Sequence, residues 1–285
     1  MSEVAAGQGN TPGGPHSVTE AARQRKFGAL YSRNVQAVVA RGLMAAKSST
    51  WLILVSGFFE PVLYLIAMGV GLGTIVGDVE GPGGQMISYA AYIAPALLAV
   101  SAMNGAVYDS TWNVFFKMNF AKLYQGMLYT SLGPLDVAMG EIFLALLRGL
   151  LYATGFTAVM GVMGLLTTFW AVLMIPASLL IAFGFASLGM GITSFMKTFQ
   201  QMDWINFFML PMFLFSATFY PLSVYPESIQ WLIQAMPLWH GVELLRQISV
   251  GAFSPATGLH IGYYLVMIVV GVALTTGRLR KLFLK

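Results

Sequence analysis

The chain has 285 residues, of which 57% are hydrophobic and only 9% charged. A soluble domain carries roughly a quarter charged residues, so this composition excludes a soluble enzyme and predicts an integral membrane protein. The absence of cysteine excludes disulfides and thiolate metal sites, and the net charge of +4 calls for no nucleic-acid partner.

Residues 1–24 are rich in Gly, Ser and Pro and predict a disordered cytoplasmic tail with no secretory apolar region. Over 25–44, Phe27, Leu30, Tyr31, Val35, Val38 and Val39 form a stripe, with Arg33, Gln36 and Arg41 away from it. This pattern predicts an amphipathic helix at the inner membrane interface; a plain anchor and a protein-docking helix read alike. The first span is expected over 51–76. Within it Glu60 precedes Pro61, which removes one backbone hydrogen bond and can kink the helix. An ionisable group at that depth needs a reason. Glu60 contacts substrate, pairs with Arg148 of the third span, or stays protonated and structural, and the sequence leaves all three open. Gly69 and Gly73 supply a small-xxx-small spacing for close helix packing.

The second span is expected over 87–107, with part of the following connection, 108–140, continuing it to about Met118. That connection holds Trp112, Phe115, Phe116, Phe120, Leu123, Tyr124, Met127 and Tyr129 among few charges, an aromatic surface that suggests a protein partner. Residues 120–128 predict a short helix suited to a cleft in that partner, with packing on its own neighbours as the alternative. Spans three and four follow over 142–164, with Arg148 inside, and 168–194.

A fifth span is expected over 204–220, stopping at Pro221. Two pieces too short to cross come next. In the first, Ile229, Leu232, Ile233 and Met236 mark one apolar helical face between Pro226 and Pro237. In the second, His240, Glu243 and Gln247 form a polar stripe, with Leu238, Val242 and Leu245 on another face. The pattern predicts a re-entrant hairpin rather than two helices lying on the surface. Glu243 and Arg246 are expected to partner each other or nearby backbone at the outer headgroup level. The hairpin then acts as a lid, and removal of either charge should give matching transport defects. A sixth span, 259–277, leads into a basic tail.

All fifteen Lys and Arg except Arg148 and Arg246 fall on one side of this six-span layout, so both termini are expected in the cytoplasm. Three scattered histidines (His16, His240, His260) predict no metal site. No G-x-x-x-x-G-K-[ST] phosphate loop occurs, so any ATP must be hydrolysed on another polypeptide. A G-x-S-x-G elbow is absent too.

Three stretches carry a family resemblance: EPVLYLIAMGVGLG from Glu60, MLYTSLGPLDVAMGE from Met127, and FSATFYPLSVYPESIQWLIQAMPLWHGVELLRQ from Phe215. Over residues 25–280 the chain resembles the membrane subunits of type-2 ABC exporters. The likeness is greatest to the lipo-oligosaccharide (nodulation-factor) exporter permeases, and daunorubicin-type drug permeases are relatives. The resemblance implies an all-α integral membrane fold of six transmembrane helices over 25–285. To these it adds an N-terminal interface helix, a cytoplasmic coupling helix and an extracellular re-entrant hairpin. It implies a dimer of identical or homologous permeases in the cell inner membrane, surrounded by lipid. Two cytoplasmic ATPases bind the ATP and Mg; this chain binds no cofactor. It further implies Phe120, Lys122, Leu123, Tyr124 and Met127 as the ATPase-coupling segment and Pro237, Glu243 and Arg246 as the hairpin. Phe59, Glu60, Tyr64, Met68, Phe208, Met212, Phe215 and Phe219 are implied along the substrate pathway. The function so implied is outward transport of a bulky amphipathic molecule, a glycolipid or a hydrophobic drug. Two rivals are an ion- or proton-coupled transporter, which needs a relay of intramembrane titratable groups, and a membrane-embedded lipid-modifying enzyme, which needs an acid/base or metal constellation.

Overall fold

In lipid a long apolar segment must satisfy its peptide groups internally, which leaves the helix as the form for such segments. The computed structural model describes residues 33–46, 59–130 and 132–283 and is built almost wholly of helices. In chain order these begin with the amphipathic α1 (Arg33–Ala46) and the long α2 (Phe59–Val76). A two-stranded antiparallel ribbon follows, β1 (Asp78–Glu80) and β2 (Met86–Ser88), with Val79 opposite Ile87. Next come α3 (Tyr89–Phe120), the short α4 (Leu123–Leu128), α5 (Pro134–Val162) and α6 (Phe169–Thr193). The chain ends with α7 (Asp203–Phe215), α8 (Glu227–Ala235), α9 (Pro237–Val250) and α10 (Pro255–Phe283). The ribbon is an addition to the all-helical expectation. Its turn needs left-handed backbone at Gly83 (φ +82°) and Gly84 (φ +75°), which glycine adopts without strain.

Five helices among the described residues are long and apolar enough to cross a membrane: α2, α3, α5, α6 and α10. The expected fifth span, 204–220, is cut short. Its helix α7 has 13 residues, ~20 Å at helical rise, and a 3₁₀ turn over Phe199–Met202 extends it at the start. Ser216 to Phe219 are not helical, yet all four are buried. Residues 1–24, 51–58 and the stripe residues Phe27, Leu30 and Tyr31 lie outside the described part.

Helix α3 is the hub and the most deeply buried of the five long helices. It packs on α2, α5, α6 and α9, while α10 lies along α6. The side chain of Ser88 accepts a hydrogen bond from Ala91 N at 3.3 Å and so caps its first turn. Helix α3 runs on to Phe120, two residues past the expected extension, through π-helical turns at Asp109–Asn113 and Phe116–Phe120. Helix α1 lies against α5, where Val38 is buried over Gly140. A Cβ on Gly140 would stand 2.6 Å from that of Val38, so only glycine permits this approach. By contrast α7 buries no residue, and α2 presents Phe59, Leu63, Ile66 and Val70 outward.

Candidate functional site

Helical spacing brings one face of three helices together. Leu97, Val100, Asn104, Tyr108 and Trp112 succeed one another at three- and four-residue steps along α3. On α2, Tyr64 lies three and four residues from Pro61 and Glu60, and on α7 Met209 and Leu210 stand between Asn206 and Phe213 at the same spacings. Between them lies a cleft of about 350 Å³. Its walls divide by chemistry. Glu60, Asn104 and Asn206 offer a carboxyl group and two amides, Tyr108 and Trp112 offer flat ring faces, and the remainder is Tyr64, Phe213 and non-aromatic apolar side chains. The Tyr64 and Phe213 rings close one side with centroids 5.9 Å apart, and Phe199 packs edge-on to Trp112 at 5.3 Å. Three hydrogen-bonding side chains on otherwise apolar helices are costly against lipid, so this cleft is built to face something polar.

Of the eight pathway residues expected from the sequence, Glu60 and Tyr64 line the cleft. Phe59 lies beside it but is exposed, Met68 packs on the core, and Met212 is half-buried. Phe208 and Phe215 point away into the surroundings. Phe219 is buried and touches the cleft only through Phe213, at a 5.2 Å ring separation. Asn104, Asn206, Tyr108 and Trp112 also line the cleft and were not among the eight. The signal was available: each is a polar or amphipathic residue recurring on the apolar face of its own helix.

The end of α7 is shaped by one side chain from α9. At Ala217 the backbone turns left-handed (φ +54°), and the carbonyls of Ala217 and Thr218 leave the helical ladder. Buried non-helical backbone needs substitute donors. Arg246 supplies them: its Nη2 donates to Ala217 O at 2.7 Å and to Thr218 O at 2.9 Å. Its Nε donates to Tyr92 O at 3.2 Å, and its guanidinium lies 3.8 Å over the Tyr92 ring. Nη1 completes the set with Glu243 Oε1 at 3.1 Å. Arg246 is only 1% exposed, so it joins α9, α3 and the broken end of α7.

Pro237 starts α9, and its carbonyl accepts from the Tyr264 hydroxyl at 2.8 Å. Nearby, His240 and His260 share a hydrogen bond between their Nδ1 atoms at 2.8 Å, with the Tyr263 ring stacked on His240 at 4.0 Å. Burial, and then the neighbouring His260, push the His240 imidazole down to about 4. On α8 only Ile233 of the expected apolar face is fully buried; Ile229 and Leu232 are exposed and Met236 is half-buried, its sulfur 3.7 Å from Ser216 Oγ. Among the described residues no group of three or more His, Asp or Glu could hold a metal.

At the opposite, basic end the buried Glu141 carboxylate accepts from Lys117 Nζ at 2.6 Å and Arg41 Nη2 at 3.3 Å, joining α5, α3 and α1. Arg148 pairs with Asp109 Oδ1 at 2.5 Å, not with Glu60 as one sequence reading had it. Asp109 also accepts from Asn113 at 2.7 Å. The expected coupling residues divide. Tyr124 and Met127 are buried within the chain, Leu123 is half-buried, and only Phe120 and Lys122 of the five are open. Burial of Tyr124, with the nearby Glu141 charge, pushes its phenol well above the ordinary range. The face available to a partner is therefore Phe120, Lys122, Gln125 and Tyr129.

Residues 33–250 match the family model of the ABC-2 type transporter. The chain belongs to the ABC-2 type transporter family. Over 251 residues it is 30% identical to Nodulation protein J of Rhizobium leguminosarum bv. viciae, covering 87% of this chain and 94% of that protein. Nodulation protein J of R. leguminosarum bv. trifolii is 30% identical over 89% of this chain and 95% of its own length. The Rhizobium meliloti (strain 1021) protein of the same name is 28% identical over 86% and 92%. The ABC-2 match covers α1 through α9, and so takes in the cleft, the α4 segment and the Arg246 cluster together. A multi-pass membrane component of a transporter, not an enzyme, is what this family membership establishes.

Proposed function

We propose that this chain is the permease of an ATP-driven exporter that carries a lipid-linked oligosaccharide, or an amphipathic molecule of similar build, outward across the inner membrane. The observation that carries the proposal is the divided chemistry of the cleft. Glu60, Asn104 and Asn206 suit the hydroxyl and amide groups of a sugar, and Tyr108 and Trp112 suit the C–H faces of its rings. Leu97, Val100, Met209 and Leu210 suit an acyl chain. The similarity to Nodulation protein J supports a lipo-oligosaccharide as the substrate class.

In this reading the basic end is cytoplasmic, since Lys117, Lys122, Lys197, Arg278, Arg280 and Lys281 gather there. A separate ABC ATPase binds the ATP and Mg and docks on the exposed face of α4. A second permease, identical or homologous, covers the outward faces of α2 and α7 and completes the pathway beside the cleft. Residues 25–285 form one transport domain, and α8 and α9 form the lid at the outer end. Photocrosslinking tests the cleft. A photoreactive lipid-linked oligosaccharide should label α3 or α7 at Asn104 or Asn206 and be displaced by unlabelled substrate. Labelling confined to the exposed Phe208 face would refute the placement.

A further inference from the structure

A second groove, of about 330 Å³, opens where α3, α6 and α10 end together at the basic end. Met118, Phe195 and Leu282 form its apolar wall, and Lys122, Lys197 and Arg278 form its charged rim. Among the described residues no carboxylate lines it. Among the described residues none of these three cations forms an ion pair, whereas Arg41, Lys117, Arg148 and Arg246 all do. The rim is nonetheless held in shape. Arg278 lies 4.6 Å over the Phe195 ring and donates Nε to Ser194 O at 3.4 Å. Lys122 sits in left-handed backbone (φ +47°) at the turn from α3 into α4, and Lys197 N donates to Gln201 Oε1 at 2.7 Å. Arg280 and Lys281, exposed on the last turns of α10, add to the same positive field.

Depth decides what fits. All three helices are long enough to cross a bilayer, and their common end carries the cation rim, which fits the headgroup level of the inner leaflet. Unpaired cations there, above an apolar wall, match a negatively charged phosphate diester carrying acyl chains. A soluble anion would leave the apolar wall unused, and an acidic protein segment would have to displace lipid already present at that depth. We infer that this groove binds the headgroup of an anionic phospholipid of the inner leaflet, at a site separate from the transport cleft. Its phosphate sits among Lys122, Lys197 and Arg278, and an acyl chain lies along Met118, Phe195 and Leu282. Because Lys122 is the hinge into α4, bound lipid holds that segment at its start and leaves Phe120 and Tyr129, which do not line the groove, as the open part of the docking face.

Native mass spectrometry of the full chain, released from nanodiscs of mixed phosphatidylglycerol and phosphatidylcholine, reads the site directly. Wild type should retain phosphatidylglycerol in preference to phosphatidylcholine. Each of Lys122→Gln, Lys197→Gln and Arg278→Gln should weaken that preference about fivefold, and the triple variant by about a hundredfold. Leu282→Trp fills the groove while leaving every charge, and should expel the lipid as well. Equal retention of the two lipids would overturn the inference. So would an unchanged preference in the triple variant or in Leu282→Trp, or displacement by inorganic phosphate alone. Loss of the lipid on addition of the ATPase would likewise overturn it, by assigning the groove to protein docking.

Discussion

Replacement of Arg246 by Gln should destabilise the protein far more than replacement of its ion-pair partner Glu243 by Gln. Arg246 is buried, and three of its four hydrogen bonds go to backbone carbonyls of Tyr92, Ala217 and Thr218. Glutamine is too short to reach all of them, so the Ala217 and Thr218 carbonyls lose their donors in a buried turn. Each orphaned group costs about 1–3 kcal/mol, and breaking a buried charge pair costs about 3–5 kcal/mol in all. Glu243 is different. Its side chain is 23% exposed, so after loss of the charge Arg246 still keeps its three carbonyls, and the expected cost is below about 1 kcal/mol. Unfolding of the purified variants in a single detergent should therefore rank wild type close to Glu243→Gln and well above Arg246→Gln. Arg246→Lys should fall between, since an ammonium keeps the charge but cannot span the three acceptors. Limited proteolysis should locate the Arg246→Gln defect between α7 and α8. Equal destabilisation by the two Gln variants would refute the reasoning and restore the simple matched pair expected from sequence.

Tyr124→Phe should be neutral or slightly stabilising, because its buried hydroxyl has no partner among the described residues, and Tyr124→Asp should lower the yield of folded protein. Tyr129→Asp, at a fully open position, should instead leave folding intact and reduce ATPase co-purification; the reverse order would place the docking face elsewhere. Asp109→Asn should cost about 1–3 kcal/mol by leaving Arg148 without its countercharge, a loss that Arg148→Met in the double variant should partly relieve, as read by thermal unfolding. The depressed His240 value means that the unfolded chain binds the extra proton first. The contribution of His240 to stability should thus be complete above its ordinary range near 6.5 and lost as pH falls toward about 4. His240→Gln should flatten that dependence, and an unchanged profile would contradict it.

The helices were legible because lipid imposes long apolar runs, and the α8–α9 break because Pro237 stands at it. Arg246 was recognisable as a residue with a reason to be buried. Partnering with nearby backbone was among the expectations, but which carbonyls accept was not legible, because those of Ala217 and Thr218 become available only when α7 unwinds at Ala217. The partner of Arg148 was hidden for a related reason. Asp109 lies 39 residues earlier, just past the expected second span in the stretch read as its extension, and it meets Arg148 as α3 continues through its π turns. Tyr124 misled in the opposite direction. An aromatic in a short connecting helix reads first as a docking side chain, yet the chain itself covers Tyr124, as the alternative reading of packing on its own neighbours had it. Asn104 and Asn206 were overlooked because single amides scarcely disturb the hydropathy of long spans, although their helical phase placed them with Glu60.

ATP-dependent uptake of a fluorescent lipid-linked oligosaccharide into inverted proteoliposomes, containing this chain and its ATPase, tests the central claim most directly. The account predicts uptake that requires ATP, is unaffected by collapsing the proton gradient, and falls when Asn104 and Asn206 are both replaced by Leu while ATPase assembly stays normal. Uptake that persists without ATP and follows the proton gradient, or that is untouched by the double substitution, would contradict it.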